Sequence, residues 1–306
     1  MKIAVTSPSF SNNKNLQNEI YKYFKDVVLN LEGVRFNQDE LIEYIKNADA
    51  VIVGLDPINS DVLNKSPNLK IIAKYGVGLN NIDLEACRKR NVAVGWTGGV
   101  NKLSVAEMAL GFMLMFARNL FVSSNELKNG IWNKSAGFQL SGKTIGIIGI
   151  GHTGKELVRL LKPFDCKIFV NDIMSQEQYC EENKLENTTK EKIFKTCDFV
   201  TINTPHNDAT NNMVNAKVLN SMKNTAYILN IARGGIINET DLKYALKNNI
   251  IAGAAIDAYV EEPPTDQEFL KLSNLICTPH IGGNAKEAVE AMGMSAIEHL
   301  KKYYNL

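Results

Sequence analysis

No apolar run in this chain approaches the roughly 20 residues that a membrane-spanning helix needs. The opening "MKIAVTSPSF" has too short an apolar stretch for a signal-peptide core. It reads as a first β-strand, and no membrane partner is expected. Clustered positive charge is also missing: 34 Lys and Arg stand against 33 Asp and Glu, scattered along the chain, for a net charge of +1. That excludes the electrostatic footprint of a nucleic-acid binder. Cysteine is sparse, with Cys87, Cys166, Cys180, Cys197 and Cys277 forming no C-x-x-C pair. Reduced thiols in the cytoplasm are expected, with neither a disulfide framework nor a metal site. Histidine is scarcer still. His152, His206, His280 and His299 are the four candidates for any reaction that needs an imidazole.

What the sequence does have is alternation. Eleven short β-branched runs, from "KIAV" and "AVIVGL" through "TIGIIGI" to "LICTPH", are separated by amphipathic stretches such as "DELIEYIKNA" and "ETDLKYALKNN". Nearly continuous apolar strands alternating with helices predict parallel sheets covered on both faces. Eleven strands are many for one open sheet, so two α/β domains are expected in 306 residues. The break falls near "TGGVNKLSVAEMALGFMLMFARNL". There Gly98-Gly99 predicts a hinge, and Ser104 with Glu107 predicts a capping box opening a long apolar helix. A last helix, "AKEAVEAMGMSAIEHLKKYY", follows "TPHIGG" and is expected to return to the first domain.

Gly149-Ile150-Gly151-His152-Thr153-Gly154 fits G-x-G-x-x-G. The pattern is weak alone, but here a β-run precedes it, a helix follows, and the next strand, "KIFVN", ends in Asp172. Gly149 permits the turn, Gly151 lets a pyrophosphate approach the backbone, and Gly154 lets helix pack on strand. Asp172 would accept from ribose hydroxyls and repel a 2′-phosphate, and "DIMSQ" offers no arginine for one. NAD is therefore expected rather than NADP. His152 reads as a surface residue of the loop, not a catalyst.

Downstream, three consecutive strands end in Arg233-Gly234-Gly235, in Asp257 with "AYVEEPP", and in His280-Ile281-Gly282-Gly283. Each alone has a bland reading, as a surface cation, solvated turn acids and a loop histidine. Together, at the carboxyl ends of strands in one sheet, they read as a site.

With these motifs the chain resembles the D-isomer-specific 2-hydroxyacid dehydrogenases, from about Ala48 to His299. "GVGLNNID" is similar to the family's substrate loop, with Asn80 where Asp is usual. "NKLSVAE", "ARGGIINETDL", "DAYVEEPP" and "TPHIGG" match its later motifs, and "GWTGGVN" departs from the usual T-P. The resemblance implies two doubly wound parallel-sheet domains, a Rossmann NAD domain (99–281) inserted into a flavodoxin-like substrate domain (1–98 and 282–306). It implies Arg233, Glu262 and His280 as the catalytic set. Arg233 would fork onto the substrate's carboxylate and carbonyl oxygens. His280 would transfer the hydroxyl proton, and Glu262 would orient its imidazole. Also implied are backbone amides at Val77 and Gly78 holding the carboxylate with Asn101 nearby, Asp257 near the nicotinamide carboxamide, and Thr204, Pro205 and Ala232 along the cofactor. A homodimer crossing over through "NGIWNKSAGFQLSGKT" is implied as well.

Core motifs favour 3-phosphoglycerate and its 2-oxoacid as the substrate pair. Gly54-Leu55-Asp56-Pro57 puts an acid where several phosphoglycerate-oxidising members place Arg-Ser, which brings glyoxylate or hydroxypyruvate into consideration. Lys74 and Lys102 remain as cations for a phosphate. A second class of relative, NAD-sensing co-repressors, keeps the same three residues.

Overall fold

The computed structural model describes residues 1–135 and 137–306. It divides into two units, 1–101 with 284–306, and 102–283. The expected boundaries, after residues 98 and 281, lie a few residues earlier.

In the first unit β1 (Lys2–Val5), β2 (Asp26–Leu29), β3 (Ala50–Val53), β4 (Ile71–Lys74) and β5 (Ala93–Gly95) form one sheet in the order β2-β1-β3-β4-β5. All pairings are parallel. This is the flavodoxin-like order, with its switch point between β1 and β3. β3 and β4 are buried at every position, as strands covered on both faces must be. Helix Gln38–Ile45 opens on a capping box between Asn37 and Glu40. Helix Lys286–Tyr304 packs on helix Lys14–Tyr23 and on β4. Gly293 makes the approach feasible, because a Cβ there would collide with the Leu16 side chain.

The second unit holds β6 (Thr144–Ile148), β7 (Lys167–Asn171), β8 (Glu186–Asn187), β9 (Phe199–Ile202), β10 (Tyr227–Asn230), β11 (Gly253–Ile256) and β12 (Leu275–Cys277). Their order, β12-β11-β10-β9-β6-β7-β8, is that of a doubly wound Rossmann sheet extended by one strand. β8 was not expected: it is two polar residues on the sheet edge, too short to leave a pattern. The switch point falls between β6 and β9. Apolar residues on both faces bury against helices, with Ile145, Ile147, Leu229 and Ala255 on one side and Ile148, Val200, Ile228 and Ile256 on the other.

The long apolar helix runs Lys102–Ala117 and buries Ala106, Ala109, Phe112, Met113 and Ala117. One expectation is corrected here. Ser104 does not cap the helix, because the chain is already helical at Lys102 and Ser104 lies inside the first turn. Its hydroxyl instead donates to the Gly282 carbonyl at 2.6 Å. Among the described residues no single helix is long and apolar enough to cross a membrane. This helix and Leu120–Lys128 fit a span only as a pair bent by 61°.

Candidate active site

The chemistry-bearing residues of the second unit gather at the carboxyl edge of its sheet. Next to the switch point, the glycine turn leaves β6 with Gly149 at φ +94°, and a Cβ there would lie 2.8 Å from the Asn203 carbonyl oxygen. Only glycine satisfies both constraints. Gly151 is the N-cap of helix His152–Leu161 and makes no side-chain cap. A Cβ built on it meets nothing within 4 Å, so there is open space over the first-turn N–H groups. Gly154 is buried against the Gly149 carbonyl, where a Cβ would overlap. His152 is exposed and Thr153 half-buried on the same turn.

Asp172, after β7, accepts from the Ile150 N–H at 2.7 Å and the Met174 N–H at 2.9 Å, tying the glycine turn to the neighbouring strand end. Across the switch point, Asn203 Nδ2 and Thr204 Oγ1 are buried without a hydrogen-bond partner among the described residues. Buried polar atoms left unpaired are costly and mark places where a ligand completes the network. Pro205 beside them is exposed. An uncapped helix N-terminus, a cleared glycine turn, a carboxylate on the next strand and orphaned polar atoms opposite together fit a dinucleotide.

At the far side of the edge, β10 ends in Asn230, a buried amide whose Nδ2 donates to the Arg233 carbonyl at 2.8 Å. Its Oδ1 accepts from the Ala232 N–H at 3.2 Å, so one side chain shapes the whole Ala232–Arg233 turn. Gly234 follows with its α-carbon against Tyr259, where a Cβ would overlap the carbonyl. That contact draws the arginine loop onto the loop after β11. The half-buried Arg233 guanidinium makes one hydrogen bond among the described residues, Nη1 to the Ala232 carbonyl at 2.6 Å. Burial lowers its pKa and the Glu262 carboxylate opposes that shift. Four of its five N–H donors are thus left for a ligand.

The loop after β11 is held at Tyr259 and Val260. Val260 N–H donates to Glu239 at 2.7 Å, and Tyr259 N–H donates to Glu262 Oε1 at 3.1 Å. Burial first, and then the nearby acids Asp266 and Glu262, raise the pKa of Glu239. Glu262 also meets His280 Nδ1, at 2.8 Å from Oε1 and 2.9 Å from Oε2. An ionised carboxylate only accepts, so Nδ1 carries the proton and Nε2 is left for chemistry.

His280 has φ +53°, a left-handed backbone costing roughly 1–2 kcal/mol in a residue with a side chain. Asp257 holds it there. Its carboxylate, 1% exposed, accepts from Thr278 Oγ1 at 2.6 Å, Ile281 N–H at 2.9 Å and Gly282 N–H at 2.7 Å. Ser104 adds its bond to Gly282 from the long helix. The loop that presents the imidazole is therefore stitched on both sides of His280.

In the first unit Val77 and Gly78 follow β4, and the Val77 carbonyl accepts from the Trp96 indole at 2.9 Å. Asn101 is half-buried at the end of that unit's first segment. The two lysines available to a phosphate have partners. Lys74 is buried and bonds the Gly54 carbonyl and Asn81 Oδ1. Lys102 pairs with Glu156 at 3.4 Å. Among the described residues no group of three or more His, Cys, Asp or Glu could hold a metal ion.

Sequence reasoning missed Asn230, Glu239, Ser104 as an anchor, and Trp96. Only Asn230 left a signal, as a polar residue closing an apolar strand.

The family described as D-isomer specific 2-hydroxyacid dehydrogenase, NAD binding domain, matches residues 110–282. A D-3-phosphoglycerate dehydrogenase of Methanocaldococcus jannaschii is 35% identical, covering 99% of this chain and 57% of its own. A hydroxypyruvate reductase of Thermotoga maritima is 34% identical and covers 90% of each chain. Among solved structures, an NAD-dependent formate dehydrogenase of Staphylococcus aureus in complex with NAD has a TM-score of 0.83 at 26% identity, covering 100% of this chain and 96% of that one.

Proposed function

The chain belongs to the D-isomer specific 2-hydroxyacid dehydrogenases, an NAD-dependent family, and we propose that it interconverts a short D-2-hydroxyacid and its 2-oxoacid. The observation that carries this is the His280–Glu262 pair beside a half-buried Arg233 with most of its donors unspent. When bound, NAD supplies or takes up the hydride at the substrate's second carbon. Gly149, Gly151, His152, Thr153, Gly154, Asp172, Thr204, Pro205, Ala232 and Asp257 hold it in this reading. Arg233 forks onto the carboxylate and the 2-oxygen, with the amides of Val77 and Gly78 and the side chain of Asn101 as further substrate contacts. His280 Nε2 donates a proton to the 2-oxygen in reduction and takes it back in oxidation, while Glu262 fixes the tautomer.

For the substrate, motif similarity supports the 3-phosphoglycerate pair. One observation favours unphosphorylated hydroxypyruvate or glyoxylate instead, namely that Lys74 and Lys102 already have partners. A panel of NADH oxidation with phosphohydroxypyruvate, hydroxypyruvate, glyoxylate and pyruvate decides between them by kcat/KM. Turnover of none of these acids sinks the dehydrogenase reading.

A homodimer belongs to the same reading. Helix Leu120–Lys128 buries none of its residues, and Leu120, Phe121, Leu127, Ile131 and Trp132 are exposed around it. Such a patch suits a partner surface. Ala136, within the expected crossover segment, lies outside the described residues. Sedimentation velocity tests this, with a monomer at micromolar concentration as the overturning result. All five cysteines are free, which supports a reducing, cytoplasmic setting.

A further inference from the structure

The loop that follows β4 is anchored differently on its two sides. Downstream, Asn81 donates to the Gly54 carbonyl at 3.2 Å and the Asp56 carbonyl at 2.7 Å, and accepts from Lys74 at 2.7 Å. Around Val77 the side-chain hydrogen bond is the indole N–H of Trp96 on the Val77 carbonyl, 2.9 Å away. A trans peptide is planar, so its C=O and N–H point in opposite directions. Fixing the Val77 carbonyl therefore fixes the direction of the Gly78 N–H.

Trp96 is itself held. A Cβ on Gly95 would collide with the His299 side chain, so the backbone before Trp96 lies directly on that imidazole. Thr97 Oγ1 is 2.8 Å from His299 Nε2 and accepts from Ser295 at 2.9 Å. The last helix thus clamps the chain on either side of Trp96, while the ring stays 40% exposed. A large aromatic so exposed is not there to fill the core. An indole N–H only donates, on a ring with two rotatable bonds, so it presents a fixed donor to a carbonyl.

We propose that Trp96 is a positioning residue for the substrate's carboxylate, acting through the Val77–Gly78 peptide. This rests on the dehydrogenase reading, in which the Gly78 amide is one of the carboxylate's donors. The indole turns that amide toward the anion before substrate arrives, so the ordering is not left to the binding step. An interaction made equally in ground and transition states changes KM and leaves kcat alone.

Trp96→Phe tests it, because it keeps the ring and removes the donor. The expected result is a rise in KM for the best 2-oxoacid of about tenfold, equivalent to about 1.4 kcal/mol, with kcat and the KM for NADH within about twofold. Backbone amide exchange across Gly76–Leu79, followed by mass spectrometry, is expected to quicken in the variant while the melting temperature holds. An unchanged KM for the acid, unchanged loop exchange, or a joint loss of kcat and NADH affinity overturns the proposal. If the variant does not fold, Ser295→Ala, which loosens the Thr97 clamp, is read by the same KM and exchange criteria. Absence of turnover by the wild-type protein on the whole panel overturns the dehydrogenase reading and this inference with it. Turnover with equal KM values overturns the inference alone.

Discussion

Asp257 ends β11 with a carboxylate 1% exposed and three donors on its two oxygens. Glu262, five residues on, keeps 41% of its side chain exposed and turns both oxygens to the His280 imidazole. The same functional group is tied into the fold at the floor of the candidate site and turned to an imidazole at its rim. Burial decides which. An ionised carboxylate out of water must have its lone pairs matched by donors, and once matched it is a rigid template. A carboxylate at the rim keeps water as an alternative partner, so it can respond to the charge on a neighbouring imidazole without unfolding anything.

The largest expected effect comes from the rim. His280→Gln is expected to lower kcat by roughly 10²–10⁴-fold, with the NADH dissociation constant and melting temperature close to wild type. Glu262→Gln is expected to lower kcat by a smaller factor and leave stability alone. Stopped-flow turnover and NADH fluorescence titration check both, and near-normal turnover in His280→Gln would overturn the assignment.

The floor is expected to behave in reverse. Asp257→Asn replaces one acceptor oxygen with an amide that faces donors, leaving a buried N–H without a partner. A cost of about 1–3 kcal/mol corresponds to a melting point lowered by several degrees, at roughly 2–4 °C per kcal/mol for a unit of this size. Differential scanning calorimetry measures it. If Asp257→Asn melts like wild type while Glu262→Gln does not, the division between floor and rim is the wrong way round.

Much of the rim was legible in the sequence, because Arg233, Glu262 and His280 sit in short local motifs at strand ends. The floor was not. Asp257 could be seen as a residue, but its donors lie 21 to 25 positions away. Ser104 reaches Gly282 across 178 positions. Its local pattern, S-x-x-E, even pointed to the wrong role, since the helix starts two residues earlier and the hydroxyl donates to the Gly282 carbonyl. Trp96 to Val77 spans 19 positions with no periodicity to mark it. Motifs record chemistry that needs fixed neighbours. Tertiary hydrogen bonds record a fold that must already be known.

Asp172 lies between the two cases. It is half-buried and accepts two backbone N–H groups, from Ile150 and Met174, rather than three donors or an imidazole. Asp172→Ala is expected to weaken NADH binding by about tenfold, the equivalent of roughly 1.4 kcal/mol, and to narrow the preference for NADH over NADPH. Titration of both cofactors checks it. An unchanged preference would mean that Asp172 is a tie between strand ends and not a cofactor contact.

The smallest effect tests whether the division holds for imidazoles. His280 is exposed beside a carboxylate, whereas His299 is half-buried with Thr97 on Nε2 and Lys302 nearby. Burial first, and then the lysine's charge, lower the His299 pKa below its ordinary value near 6.5. The unfolded chain therefore takes up this proton at a higher pH than the folded one. The stability His299 contributes is complete above about pH 6.5 and is lost as pH falls through the lower folded value. His299→Gln keeps a hydrogen-bonding group but cannot titrate. The fall in melting temperature between about pH 7.5 and about pH 5.5 should be smaller in the variant than in the wild type. Equal falls would mean that His299 is solvated like a rim residue, and that the clamp behind Trp96 does not hold its proton off.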